Sequence, residues 1–201
     1  MKKSVLLISA VLLSLFSQAQ SVSLLGYGGG LTGSRVFPLG NESRITGDWC
    51  YGAGLEFGLD FGAVTLTWTG SKSDFESYGI LSSDKNVTPI TTNYYQLGFE
   101  KNLTEGTVTP HTIFTLGAAQ FTPEDNSASG DKWFFAATFG IGLKAELNEK
   151  VALRIQAKGN MPLEMGGAGI FCGYGGCAPN VYFNPIVFQG EFTAGLAVKI
   201  K

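Results

Sequence analysis

From Trp133 to Met161 every second residue is apolar: Trp133, Phe135, Ala137, Phe139, Ile141, Leu143, Ala145 and Leu147, then Val151, Leu153, Ile155, Ala157, Gly159 and Met161. The interleaved positions carry Thr138, Lys144, Glu146, Arg154, Gln156, Lys158 and Asn160. Successive strand side chains point to opposite faces, so the stretch predicts a long hairpin, turning at Asn148-Glu149-Lys150, with one oily and one polar face.

The same period predicts six further strands. They run over 24–33 (Leu25, Tyr27 and Leu31 on the apolar face), 49–61, 63–70, 92–101, 108–119 and from 192 to the C-terminal end. Three connections are tight: Phe61-Gly62, Asn102 to Thr107 and Asn148 to Lys150. Four are long: 34–48, 71–91, 120–132 and 162–189. Strict alternation of long and short links around an even number of strands gathers every long loop at one end, the layout of a transmembrane barrel.

Charge decides which face points outward. The apolar set holds a single ion, Lys101, at the end of its strand. The polar set holds Glu56, Asp60, Glu100, Lys144, Glu146, Arg154, Lys158 and Lys199. Burying this second set in a dry soluble core costs several kcal/mol per ion. Turning the first set to water exposes an apolar belt far larger than the few hundred Å² usual for a monomer. Both penalties disappear with lipid outside and a polar interior. The expected fold is therefore all-β: an eight-stranded antiparallel up-and-down transmembrane barrel. Trp49, Tyr51, Trp68, Tyr95, Trp133 and Phe135 near the long-loop ends, and Phe57, Phe61 and Phe99 near the turns, match two interfacial girdles.

Residues 1–19 form a separate feature: Lys2 and Lys3, an apolar stretch from Val5 to Phe16, and Ser17-Gln18-Ala19 as a small-residue cleavage site. This is the pattern of a cleaved signal peptide, with 20–201 as one barrel domain. The apolar stretch falls short of the roughly 20 residues a spanning helix needs. Charged residues make up 15% of the chain and the net charge is −2, which gives no basic footprint for nucleic acid.

At this point the chain resembles the small eight-stranded outer-membrane barrels of Gram-negative bacteria, the OmpA/OmpX-like β-barrel domain family. The ending Ser17-Gln18-Ala19-Gln20 and the stretch Gly52-Ala53-Gly54-Leu55-Glu56-Phe57 look most like Bacteroidetes-type versions. The resemblance implies an integral protein of the cell outer membrane. Its surroundings would be outer-membrane lipid and lipopolysaccharide, and the barrel-assembly machinery would fold it. One departure is the C-terminal Val198-Lys199-Ile200-Lys201, where such barrels often finish on an aromatic residue.

An eight-stranded bore is just wide enough to be filled by side chains. Gly26, Gly28 and Gly30 on the first strand, and Gly52, Gly54 and Gly58 on the second, are expected to form a thin wall toward which the long side chains reach. The eight polar-face ions are expected to form a mixed-sign interior network without an open pore. Among three Cys, Cys172 and Cys177 are disulfide candidates in an oxidising compartment, leaving Cys50 unpaired. With one His and no second ligand pair at zinc spacing, no metal or cofactor site is expected. His111 has no partner placed by sequence to complete a triad. The loop 162–189, rich in Gly and apolar residues, is expected to cap the mouth or to meet a surface partner.

These features point to a non-enzymatic barrel with a structural or surface-interaction role. The alternatives are a narrow pore for ions or small solutes, and an enzyme acting on outer-leaflet lipid.

Overall fold

A computed structural model describes residues 20–36, 43–78, 85–124, 131–173, 176–185 and 187–200. The leader expected at 1–19 lies outside the described residues. The strands are β1 (Ser21–Leu31), β2 (Ser34–Arg35), β3 (Arg44–Ile45), β4 (Asp48–Leu59), β5 (Gly62–Tyr78), β6 (Lys85–Asn102), β7 (Val108–Pro123), β8 (Lys132–Glu146), β9 (Val151–Gly173), β10 (Gly176–Pro185) and β11 (Gln189–Lys199). Eight of them close a ring in the order β1-β4-β5-β6-β7-β8-β9-β11, each antiparallel to its neighbours. Closure leaves no free edge within the wall.

The alternation seen in the sequence sorts the two faces. Leu66, Leu97, Leu116, Phe139, Ile141, Leu143, Ile155, Phe192 and Leu196 stand exposed outside. Glu56, Thr65, Gln96, Glu100, Thr138, Arg154, Lys158 and Asn160 are buried inside. At the long-connection end Tyr51 meets Trp68 edge-on with centroids 5.6 Å apart, and Tyr95 stacks on Trp133 at 5.9 Å. At the turn end Phe61 and Phe99 lie 5.7 Å apart. Phe57 shares that outer face near the turns, covered by Val22, Leu55 and Val64.

The first strand faces the other way from its sequence pattern. Cross-strand partners share a face, and Ser23, Leu25 and Tyr27 sit opposite Glu56, Gly54 and Gly52. Leu25, Tyr27 and Leu31 therefore point inward, while Gly26, Gly28 and Gly30 lie on the outer wall. The charged neighbour strand sets the register, and glycines tolerate either side. The inner glycines make room for the Tyr27 ring: a Cβ at Gly52 would lie 2.4 Å from it.

Two of the expected long loops are strand extensions. β5 and β6 stay paired in unbroken register from Gly62↔Lys101 to Tyr78↔Lys85, a stretch rich in β-branched Val87, Thr88, Ile90, Thr91 and Thr92. The segment 162–189, expected as a loop, contains a hairpin in which β9 and β10 pair from Leu163↔Pro185 to Gly173↔Gly176. Its Gly and apolar content serves backbone pairing above the barrel.

The bore is stopped at this same end. Ile45, Ile90 and Val187 are buried together, with Val36, Phe75 and Phe121 packed on them. The β1–β4 connection prolongs the wall, with β2 paired to β3 and β3 to β5, and its Val36 and Ile45 pack into the stopper. Thr32 N–H donates to the Gly190 carbonyl at 2.7 Å, and a Val36↔Val187 bridge joins it to the segment before β11. On the far side Thr46 N–H donates to the Asp74 carbonyl at 2.9 Å. At the turn end the bore opens into a cavity of about 630 Å³.

Candidate functional site: the buried ion network

Inside the wall the charges gather at two heights. Nearer the turns, Arg154 on β9 is the hub. Its guanidinium donates to Glu56 on β4 and lies 2.5 Å from Glu100 Oε2 on β6. Lys144 Nζ on β8 reaches the other Glu56 oxygen at 2.6 Å. Two carboxylates, one guanidinium and one ammonium balance in sign. His111 on β7 is buried 3.7 Å from Glu100 Oε2, and Gln156 Nε2 lies 3.4 Å from both His111 Nε2 and Glu100 Oε1. Gly142 makes room for the imidazole, since a Cβ there would lie 2.4 Å from Nε2.

Nearer the long connections, Lys158 on β9 pairs with Glu191 on β11 at 2.5 Å. The Lys158 ammonium also lies 5.1 Å from the Tyr27 ring centroid, within cation–π range. Asn160 Nδ2 donates to Glu191 Oε2 at 2.7 Å, Thr138 Oγ1 donates to Asn160 Oδ1 at 2.7 Å, and Gln96 donates to Thr138. The Tyr27 hydroxyl lies 2.8 Å from Thr69 Oγ1. One layer higher, Tyr94 O–H donates to Gln189 Oε1 at 2.7 Å. Such satisfaction matters because a buried polar group without a partner is costly.

Of the eight ions expected in one network, Glu56, Glu100, Lys144 and Arg154 meet, and Lys158 sits in the second cluster. Asp60, Glu146 and Lys199 do not join them. Asp60 lies in the β4–β5 turn and accepts from the Gln20 side chain; Glu146 and Lys199 border the open cavity at the mouth. All three are exposed, because the last rung of a barrel meets water. Glu191 was missed by a strand start placed at Phe192, although its parity with Thr193 marks it as inward. The carboxylate beside His111 was also missed, since Glu100 is eleven positions away on the paired strand and no local motif joins them.

Cys50 is a free, buried thiol. Cys172 and Cys177 are directly opposite in the β9–β10 register, with their side chains outside the described residues. Among the described residues no cluster of ligating side chains could hold a metal ion. Above the outer girdle Lys72 and Glu124 form an exposed pair at 2.7 Å. Hydrogen bonding to Lys72 holds the Glu124 carboxyl below its ordinary range, and Glu124 in turn raises Lys72.

No family model matches the chain, and no curated protein matches it. Solved structures do share its fold. The crystal structure of Neisserial surface protein A aligns with a TM-score of 0.61 at 11% identity, over 89% of this chain and 97% of that one. The outer membrane protein OprG of Pseudomonas aeruginosa aligns at 0.58 and 14% identity, over 91% and 97%. The N-terminal β-barrel domain of OprF from the same organism aligns at 0.51 and 15% identity, over 90% and 98%. At these identities the likeness is one of fold.

Proposed function

We propose that this chain is an integral outer-membrane barrel with a structural or surface-interaction role and no catalytic activity. One observation carries the reading: the exposed wall is a continuous apolar band between two aromatic rings, while the buried interior is ionic. Only hydrocarbon outside reconciles those two facts energetically. The fold shared with outer-membrane barrels supports the same placement, and the leader 1–19 would deliver the chain to the periplasm. The Ser17-Gln18-Ala19-Gln20 ending suits a Bacteroidetes-type source.

An interaction role draws on the β9–β10 hairpin, which extends past the last β8–β9 pair, Phe135↔Leu163. From Met165 to Pro185 its sequence carries no charge. A Cys172–Cys177 disulfide would stiffen its tip. A filled bore with one apolar stopper suits a closed barrel. His111 is walled in toward the periplasmic end, far from an outer-leaflet substrate.

Heat-modifiable gel migration of the membrane-extracted protein tests the architecture. The folded barrel should run at a different apparent mass when unboiled than when boiled, and should resist alkaline extraction from membranes. Identical migration together with release into the alkaline supernatant would remove the proposal.

A further inference from the structure

Near the two ion clusters a polar group on β11 is left without a hydrogen-bond partner. Thr193 on β11 is 4% exposed, points inward, and its hydroxyl has no hydrogen-bond partner. It borders a cavity of about 20 Å³ whose other polar walls are Tyr27, Thr67, Glu100, Arg154 and Gln156. A buried water needs roughly 10–15 Å³ and two to four polar partners, so this space fits a water molecule. An apolar cavity of the same size would stay dry; this one offers carboxylate, amide and hydroxyl oxygens as acceptors.

The geometry points to a bound water at this position, accepting from the Thr193 hydroxyl and donating to an acceptor of the lower cluster such as Glu100 or Gln156 Oε1. The molecule joins the Arg154 cluster to the Tyr27–Lys158 cluster. The polar column then runs through a shared water between the two heights. A lone hydroxyl facing an empty space would carry its desolvation penalty uncompensated.

The two situations give opposite signs on substitution. Thr193→Val keeps shape and removes the hydroxyl. With water bound, the change strips one anchor, and the urea midpoint of the folded barrel falls on the order of 0.5 M. Thr193→Ser keeps the anchor. In nanodiscs, NMR magnetisation transfer from a long-lived water should reach the Gln156 side-chain amide in the wild type and in T193S, and vanish in T193V. A T193V midpoint equal to or above wild type, without a water signal in the wild type, overturns the inference. If T193V does not fold, the wild-type water signal alone decides: its presence supports the site and its absence removes it.

Discussion

At the turn end the bore opens into a cavity of about 630 Å³ bordered by Lys144, Glu146, Lys150 and Lys199, whereas at the long-connection end it is stopped by buried Ile45, Ile90 and Val187. The difference follows from what each end must hold. The turn end keeps Glu146 and Lys199 wet, while Lys144 reaches deeper to Glu56, which Arg154 also holds. At the other end side chains of the prolonged wall fill the bore, and apolar packing does so without requiring exact donor geometry. Polarity inside the barrel is therefore layered by height.

The sharpest way to break this comparison is at the ionic hub. Arg154→Met leaves Glu56 and Glu100 buried without their shared cation, and should destabilise the barrel by about 3–5 kcal/mol. Urea unfolding in lipid vesicles would show it. Converting both carboxylates to Gln in the same chain should recover much of the loss. At the opposite end, Ile45→Ala opens the stopper and should lower stability by about 2–4 kcal/mol in the same assay. Failure of either end to respond would mean that its buried groups do not stabilise the barrel.

The smallest effect is expected above the girdle. The folded Glu124 carboxyl is depressed, so any stability from its pair with Lys72 is present above the ordinary carboxylate range and lost as pH falls through the folded value. Lys72 is raised, so its share is lost only as pH climbs through the folded lysine value. Both groups are exposed, and water screens the pair. Glu124→Gln should leave the unfolding midpoint at neutral pH unchanged.

Alternation made the β8–β9 hairpin, the eight-strand ring and the outward sense of most strands legible. It failed on β1, where Leu24 and Leu25 have opposite parity and the glycines carry no preference. It also failed on how high the strands rise, because hydrophobic period marks the membrane-facing part, and extensions such as Ser71 to Glu76 are mostly polar. Parity told that Glu56, Glu100 and Arg154 share the interior. It could not tell that they meet, since Glu56 and Arg154 are 98 positions apart and their contact depends on stagger around the ring. Lys158 and Glu191 meet as direct partners in the β9–β11 register, while the stagger leaves Glu146 and Lys199 at the rim.

The most direct test of the account is to place a fluorophore by single-cysteine labelling at Ile155, and separately at its neighbour Gln156, in vesicles containing either brominated lipid or aqueous iodide. Brominated chains should quench the label at 155 strongly and the label at 156 hardly at all, with iodide ineffective at 155. Strong iodide quenching at 155, with no response to brominated lipid, would contradict the account.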